Sequence, residues 1–412
     1  MKTILAFQTI LLLVTSLYAQ DVYVVGYENN GTTDVAKLWK NGIAEDLTDG
    51  SFHSMAHSIA VSGNDVYAAG YLYNGIEDIA TLWKNGIPQS LNNGSNAYAT
   101  SVAVSDNDVY VAGHEESTSG NHVATLWKNG IAEELTDGAT NAEARSVAVS
   151  ESDVYVAGYE RNSLSFDVAK LWKNGTPQSL TDGTNTAAAS SVYVSGNDVY
   201  VAGYEFNGDI TIAKIWKNGI AQELTEGVTP AEALSVTLSG NDVYVAGFER
   251  NSSDISVAKL WKNGIAEELT DGAFFAYAHS VAISAGDVYV AGRERNSSGI
   301  YVAKLWKNGI AENLTDGSNY SAAYSVFIDN GSLSVEANAI AGNNFSIYPN
   351  PVDDELYINI KEPMVLQLYN IQGQLLKTIN TRQNTNISMS GFSAGVYFIC
   401  DQYGNSEKII KQ

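Results

Sequence analysis

The tetrapeptide Trp39-Lys40-Asn41-Gly42 recurs along the chain and decides the fold. Its tryptophans follow one another every 44 or 45 residues, and no Trp lies outside this series. Asn-Gly between two short apolar runs is a strong signal for a two-residue hairpin, because both residues tolerate the positive φ of that turn. A hairpin in every copy of a fixed period indicates a repeat architecture. The seven tryptophans are Trp39, Trp83, Trp127, Trp172, Trp216, Trp261 and Trp306.

A second strand pair precedes each tryptophan, as in residues 58–67, where apolar runs flank the turn Gly63-Asn64-Asp65. Each repeat therefore contains four short strands, which we name a, b, c and d in chain order. Four strands in about 44 residues is typical of a propeller blade. We predict an all-β fold in which a seven-bladed β-propeller is followed by a small C-terminal β-sandwich. The b strands are apolar on both faces, and each Trp is expected in the core between neighbouring blades.

The two ends of the repeat array are complementary. The array opens on a b strand at Asp21-Val22-Tyr23 and finishes on an a strand at residues 325–328. We therefore expect the last strand to complete the first blade, which would close the ring and remove an exposed sheet edge.

The N-terminus has the pattern of a cleavable signal peptide, with Lys2, an apolar run over residues 4–14 and a small residue at Ala19. No later stretch approaches the roughly 20 apolar residues of a transmembrane helix. Cys400 is the only cysteine, so no internal disulfide forms. The formal net charge of -23 disfavours nucleic acid and anionic lipid as partners, and favours solubility or cationic partners.

The repeat pattern stops after Asn330, and the remainder reads as a linker and a compact β module. This module contains Tyr348-Pro349-Asn350-Pro351, Leu368-Tyr369-Asn370-Ile371-Gln372-Gly373 and Ala394-Gly395-Val396-Tyr397-Phe398, and it ends on Lys408-Ile409-Ile410-Lys411. In this order the motifs resemble the type A sorting domain of type IX secretion cargo. The resemblance implies that residues 344–412 engage the type IX machinery, after periplasmic transit. It also implies a protein that is secreted or attached to the outer surface.

The predicted organisation has four parts. They are a signal peptide at 1–19, a propeller at 20–330, a linker at 331–343 and a sorting domain at 344–412. An ordinary β-sandwich accessory domain is the alternative for the last part.

The loops divide the propeller into two unlike faces. The a–b and c–d turns are nearly uniform, whereas the d–a and b–c loops differ from repeat to repeat, as functional loops on repeat scaffolds do. Strand alternation is expected to bring two positions of each a strand to the channel mouth on that variable face. These residues and nearby loop aromatics suit a glycan or protein ligand, or they cap the inter-blade core instead. The candidate ligand-binding residues are His57, Tyr98, Glu143, Arg145, Glu232, Phe274, Phe275, Tyr277, His279 and Tyr324.

The search for chemistry predicts no catalytic residue, no metal site and no cofactor. His57 and His279 lack the spaced partners of a zinc or iron site, and no Gly-x-Ser-x-Gly elbow occurs. The sequence leaves one alternative, a Ca²⁺ ion bound by backbone carbonyl groups of the Asp- and Asn-rich loops. The sequence favours an extracellular binding protein over the alternative, a polysaccharide hydrolase or lyase whose site would include Glu143, Arg145 and Glu232.

Overall fold

The computed structural model describes residues 20–92, 95–329, 345–370, 375–401 and 406–412. These residues form two compact units, an N-terminal unit within residues 20–329 and a C-terminal unit within residues 345–412. Both units are built from β-strands, and no helix occurs in the described ranges. The predicted signal peptide and linker lie outside the described residues.

The strands of the N-terminal unit repeat in length as well as in sequence, with nine residues in a and b, seven in c and four in d. The a strands are β4 (Ser54–Ser62), β8 (Ala97–Ser105), β12 (Ala142–Ser150), β16 (Ala187–Ser195), β20 (Ala231–Ser239), β24 (Ala276–Ser284) and β28 (Ser321–Asp329). The b strands are β1 (Asp21–Asn29), β5 (Asp65–Tyr73), β9 (Asp108–Glu116), β13 (Asp153–Arg161), β17 (Asp198–Phe206), β21 (Asp242–Arg250) and β25 (Asp287–Arg295). The c strands are β2 (Asp34–Lys40), β6 (Asp78–Lys84), β10 (His122–Lys128), β14 (Asp167–Lys173), β18 (Thr211–Lys217), β22 (Ser256–Lys262) and β26 (Tyr301–Lys307). The d strands are β3 (Ile43–Asp46), β7 (Ile87–Ser90), β11 (Ile131–Glu134), β15 (Thr176–Ser179), β19 (Ile220–Glu223), β23 (Ile265–Glu268) and β27 (Ile310–Asn313).

These strands form antiparallel four-stranded sheets in the order a-b-c-d. We number the sheets 1 to 7 along the chain, with sheet 1 ordered β28-β1-β2-β3. Its a strand comes from the end of the array, and Val326 lies opposite Val24. This pairing confirms the closure expected from the complementary ends. The a strand of each sheet contacts that of the next, and β28 contacts both β24 and β4, so the circle of contacts is closed.

The tryptophans form the core between neighbouring sheets. Trp172 of sheet 4 is fully buried and packs in one cluster with Tyr110 and Leu126 of sheet 3. The Asn-Gly hairpins that follow them have the expected positive φ, as at Asn41 (51°) and Gly42 (79°). The sequence prediction of inter-sheet Trp and of tight c–d turns is thus confirmed.

Every a strand contains a β-bulge that the alternation argument did not foresee. In β4 the register shifts between Ala56 and Ser58, which leaves His57 as the extra residue. His57 and Ser58 are consecutive and both half-buried, so the strict alternation of the strand breaks at this point. Gly70 on β5 makes the bulge possible, because a Cβ there would lie 1.9 Å from the carbonyl oxygen of Met55.

The serine after each bulge residue links its sheet to the next. Ser101 Oγ accepts a hydrogen bond from the Val147 N–H at 3.1 Å, and Ser146 does the same for Val192 at 3.1 Å. Equivalent bonds run through all seven sheets, including Ser325 to Ile59. These seven bonds form a closed series around the unit, which we call the serine belt. Each bulge residue directly precedes one of its serines.

The C-terminal unit contains two sheets in its described part. They are ordered β29-β30-β33 and β32-β31-β34-β35. Leu356 and Ile358 of the first sheet share one buried cluster with Leu366 and Ile399 of the second. The strands are β29 (Phe345–Tyr348), β30 (Glu355–Ile360), β31 (Met364–Asn370), β32 (Leu375–Thr381), β33 (Thr385–Ser388), β34 (Gly395–Asp401) and β35 (Ser406–Lys411). Cys400 is half-buried on β34.

Candidate functional site

One face of the N-terminal unit repeats the same polar arrangement in every sheet. In sheet 3, Lys128 Nζ lies 2.7 Å from Asp108 Oδ2 and sits over the ring of Tyr110 at 5.2 Å. Asn129 donates a hydrogen bond to the other oxygen of Asp108 at 2.8 Å. The bonds from Lys128 and Asn129 lower the pKa of Asp108. Because this set is repeated, it distinguishes no sheet as a specific site.

The opposite face carries the bulge residues, which differ from sheet to sheet and are all half-buried. The rings of His57 and Tyr324 lie 5.1 Å apart, and those of His279 and Tyr324 lie 5.2 Å apart. Burial lowers the pKa of His57 to about 4, and burial together with Arg293 lowers that of His279 to about 3. Both imidazoles are partly accessible but surrounded by protein, and both are neutral at pH 7. This histidine–tyrosine group joins three of the predicted site residues.

A charged group occupies the same face at sheet 4. Arg145 Nε lies 3.3 Å from Glu143 Oε2, so two of the predicted site residues form an ion pair. Burial opposes ionisation of Glu143, but Arg145, His114 and the hydroxyl of Tyr159 outweigh it and lower the pKa of Glu143. Burial raises the pKa of Glu232, although the field of Arg145 opposes the shift. The two carboxyl groups thus have unlike environments.

The predicted aromatic residues fall into two groups. Tyr98 and Tyr277 are packed, since the Tyr98 hydroxyl donates to Asp78 of the preceding sheet and the ring of Tyr277 lies edge to face with that of Phe248, at 5.0 Å between centroids. Phe274 is 40% exposed in its loop, and Phe275 is half-buried beside it. Tyr98 and Tyr277 are therefore engaged in contacts between sheets, whereas Phe274 is exposed.

The sequence analysis missed the residues that face these positions from strands b and c. The b-strand residue directly follows the glycine that faces the bulge, such as Gly158. It lies opposite the a-strand position that holds Tyr98 in one sheet and Glu143 in another. Its variation from repeat to repeat was the available signal, because neighbouring positions of strand b scarcely change. The residues are Tyr27, Tyr71, His114, Tyr159, Tyr204, Phe248 and Arg293.

Strands b and c of sheet 3 bring two of the missed residues to Glu143. Ligand atoms of His114, His122 and Glu143 all lie within 4.8 Å of one another, the one such group among the described residues. His122 Nδ1 is 3.3 Å from Glu143 Oε1. His114 is 7% exposed, and neither of its ring nitrogens has a hydrogen-bond partner within the described residues. Burial lowers the pKa of His114 to about 4, so its imidazole is neutral.

A groove of the N-terminal unit lies elsewhere, on the uniform face. It has a volume of about 740 Å³ between sheets 5 and 6, and it is lined by Tyr200, Lys217 and Asn263 among others. These are the repeated residues of the uniform face. The unlike charges and buried histidines of the variable face are stronger indicators of a specific site, since perturbed titratable groups concentrate at functional sites.

Comparison with known families concerns the C-terminal unit. Residues 346–412 match the family described as a secretion system C-terminal sorting domain. This match confirms the type IX resemblance. The sorting domain implies interaction with the type IX machinery and export to the cell surface or medium. No curated protein matches the chain. Within the described residues, no helix is both long and apolar enough to cross a bilayer.

Solved structures resemble the chain in fold. The β-propeller domain of the trilobed protease from Pyrococcus furiosus is 10% identical, covering 73% of this chain and 95% of that one, with a TM-score of 0.48. The acylaminoacyl peptidase of Pyrococcus horikoshii is 13% identical, with 82% and 57% covered and a TM-score of 0.46. A puromycin-hydrolyzing peptidase of Mycobacterium tuberculosis is 11% identical, with 70% and 51% covered and a TM-score of 0.50. Likeness at this identity concerns the fold alone.

Proposed function

We propose that the chain is a secreted or cell-surface binding protein whose seven sheets are the blades of a closed β-propeller. Its variable face, formed by the d–a and b–c loops and the bulge residues, binds an extracellular glycan or protein ligand. The C-terminal sorting domain, proposed to fold as a β-sandwich over residues 344–412, directs export by a type IX route. The signal peptide at 1–19 and the linker at 331–343 complete this organisation.

Four observations support the proposed architecture. The a strands contact one another in a closed circle, and the serine belt crosses every junction between sheets. Closure by β28 leaves no a strand missing from the ring. In the C-terminal unit, both sheets contribute to a single buried cluster, which is how the two layers of a sandwich pack.

The observation that carries the binding function is the contrast between the two faces. Equivalent positions hold the same Asp, Lys, Tyr and Asn on one face, whereas the other presents His57, Arg145, Glu232 and Phe274 in different sheets. A scaffold needs identical residues for packing, but a single ligand needs unlike groups that converge. Unlike side chains are concentrated on the variable face, so that face is the binding surface.

Binding is tested with the full chain on arrays of glycans and of extracellular peptides. Replacing Phe52, Phe274 and Tyr320 with Ala removes aromatic rings that are 45%, 40% and 50% exposed. We expect this triple variant to lose binding and to keep its melting temperature, because exposed loop rings contribute little to the core.

The control replaces with Ala three apolar residues of the d strands that are even more exposed, Ile43, Ile220 and Ile310, at 76% each. This control is expected to bind like the unmodified chain. Equal binding by both triple variants would refute the variable face as the ligand surface.

The export part of the proposal is tested in a type IX-secreting host. A chain that lacks residues 344–412 is expected to stay inside the cell envelope, because the sorting domain is the part that the secretion machinery recognises. Cell fractionation measures this outcome. A truncated chain that still reached the surface or medium would contradict a sorting role for the domain.

A second function is favoured by the unlike carboxyl groups at the variable face. The pKa of Glu232 is raised and that of Glu143 is lowered, and glycoside hydrolysis commonly uses one carboxyl that stays protonated and one that stays ionised. Release of new reducing ends from polysaccharides would reveal this activity. This hydrolytic activity should be lost in Glu143→Gln and also in Glu232→Gln. Turnover that survived both changes would show that these two residues are not the catalytic pair.

A further inference from the structure

We propose that His114, His122 and Glu143 form a site for one divalent transition-metal ion, for which Zn²⁺ is the best match. Two imidazoles and one carboxylate are a common protein ligand set for Zn²⁺, which leaves a further position for water or a ligand atom. This inference does not depend on the binding function proposed above.

The three residues come from separate strands that meet at the junction of sheets 3 and 4. His114 lies near the end of β9, His122 begins β10, and Glu143 lies on the neighbouring β12. Their ligand atoms are already within 4.8 Å of one another. Ligands of one zinc ion lie at about 2.0–2.2 Å from the metal, so side-chain rotation must bring the three closer by roughly an ångström. His122, whose side chain is 39% exposed, has room to rotate.

The two ring nitrogens of His114 lack hydrogen-bond partners within the described residues, which independently indicates a ligand at this position. Its ring lies between those of Tyr98, at 5.1 Å, and His122, at 4.2 Å, and this stacking explains where the ring sits. Stacking does not account for Nδ1 and Nε2, which are both buried without a hydrogen bond. Buried polar atoms in native proteins almost always have partners, including ions and waters. A metal ion would satisfy one of these nitrogens.

The surroundings of Glu143 also suit metal binding. Arg145 contacts Oε2 at 3.3 Å, while Oε1 faces His122 at 3.3 Å. The arginine therefore holds the carboxylate with one oxygen directed towards the histidines. Such contacts from the residues behind a ligand orient it and tune its affinity. The partial exposure of His122 leaves the ion accessible from solvent.

The test uses the full chain without a histidine tag, stripped with EDTA and titrated with ZnCl₂ by calorimetry. One equivalent is expected to bind and to raise the melting temperature, because an ion that binds only the folded state stabilises it. Titration with CoCl₂ is expected to produce the visible absorption bands of four-coordinate Co²⁺. His114→Phe keeps a stacked ring but removes both nitrogens, and Glu143→Gln keeps the shape but removes the charge.

Both variants are expected to lose the bound equivalent and the cobalt bands. The control is His53→Phe, because His53 Nδ1 forms a similar pair with Asp34 at 3.2 Å that no third ligand residue joins among the described residues. Loss of binding in His53→Phe alone would overturn the proposal, as would the absence of zinc binding or undiminished binding in Glu143→Gln. If His114→Phe fails to fold, Glu143→Gln decides the matter.

Discussion

The glycine that follows the apolar run of each b strand is required because a side chain would not fit there. Its backbone φ does not require glycine. At Gly203 an added Cβ would lie 2.1 Å from the carbonyl oxygen of Ala188 and 3.0 Å from the Cα of Ala189. Both obstacles are backbone atoms of the bulged strand, so neither can rotate away. The glycine thus permits the bulge that places the site residues.

Replacing Gly203 with Ala is expected to lower the free energy of unfolding by about 1–3 kcal/mol, the usual cost of overpacking. Chemical denaturation of the full chain measures the change. Gly391→Ala is the control, because no atom of the described residues lies within 4 Å of the added carbon there. A Gly203→Ala protein as stable as the control would show that the a strand can move away.

The neutral histidines predict a dependence of stability on pH. The native pKa values of His57 and His279, about 4 and about 3, lie below the value of 6.5 expected in the unfolded chain. The unfolded state therefore takes up protons first. Stability is complete above pH 6.5 and falls as the pH drops towards 4, by up to about 1.4 kcal/mol per pH unit for each histidine.

Denaturation at a series of pH values tests this dependence. The double variant His57→Phe/His279→Phe is expected to lose less stability between pH 6.5 and 4.5 than the unmodified chain. The stability of the double variant should still depend on pH to some extent, because burial also lowers the pKa of His114. Parallel pH profiles for the two proteins would show that these histidines do not set the acid limit.

At the scale of the element, the c strand is held by its tryptophan. Trp172 on β14 is fully buried against residues of sheet 3, and its indole N–H has no partner within the described residues. The side chain therefore contributes through volume and apolar area rather than through a hydrogen bond.

Trp172→Ala is expected to destabilise the N-terminal unit by about 3–5 kcal/mol, whereas Trp172→Phe should cost less because the phenyl ring keeps much of the buried apolar volume. The thermal unfolding of both variants measures this difference. Equal losses in the two variants would contradict a contribution made through buried volume.

At the scale of the whole molecule, the ring is closed by a strand that lies about 300 residues from its partner in sequence. β28 pairs with β1 along its length, and its Val326 N–H donates a hydrogen bond of the serine belt to Ser280 Oγ. Each sheet has two neighbours as a consequence, so stability is shared around the circle.

Deleting residues 321–329 is expected to destabilise all the sheets together, because the break exposes both β1 and the faces of sheets 2 and 7. Hydrogen exchange should then show loss of protection throughout the ring, including sheet 4 on its far side. Loss of protection confined to β1, β2 and β3 would contradict cooperative closure, and so would unchanged melting.

The sequence by itself determined the repeat, the four strands of each unit, the Asn-Gly turns and the strand that closes the ring. These features depend on local turn chemistry and on a period that recurs in the chain, so they can be read without tertiary contacts. It also identified the sorting domain, and it selected the positions of Glu143 and Arg145.

Only the tertiary structure decided that His114 and His122 meet Glu143. The three lie on different strands of two sheets, and their approach depends on the packing of those sheets and on the exact register of each strand. The bulge at Arg145 shifts that register by one residue, and simple alternation does not include such a shift. A site assembled across a sheet junction has no spacing of its own in the sequence, because the distances between its residues are set by packing.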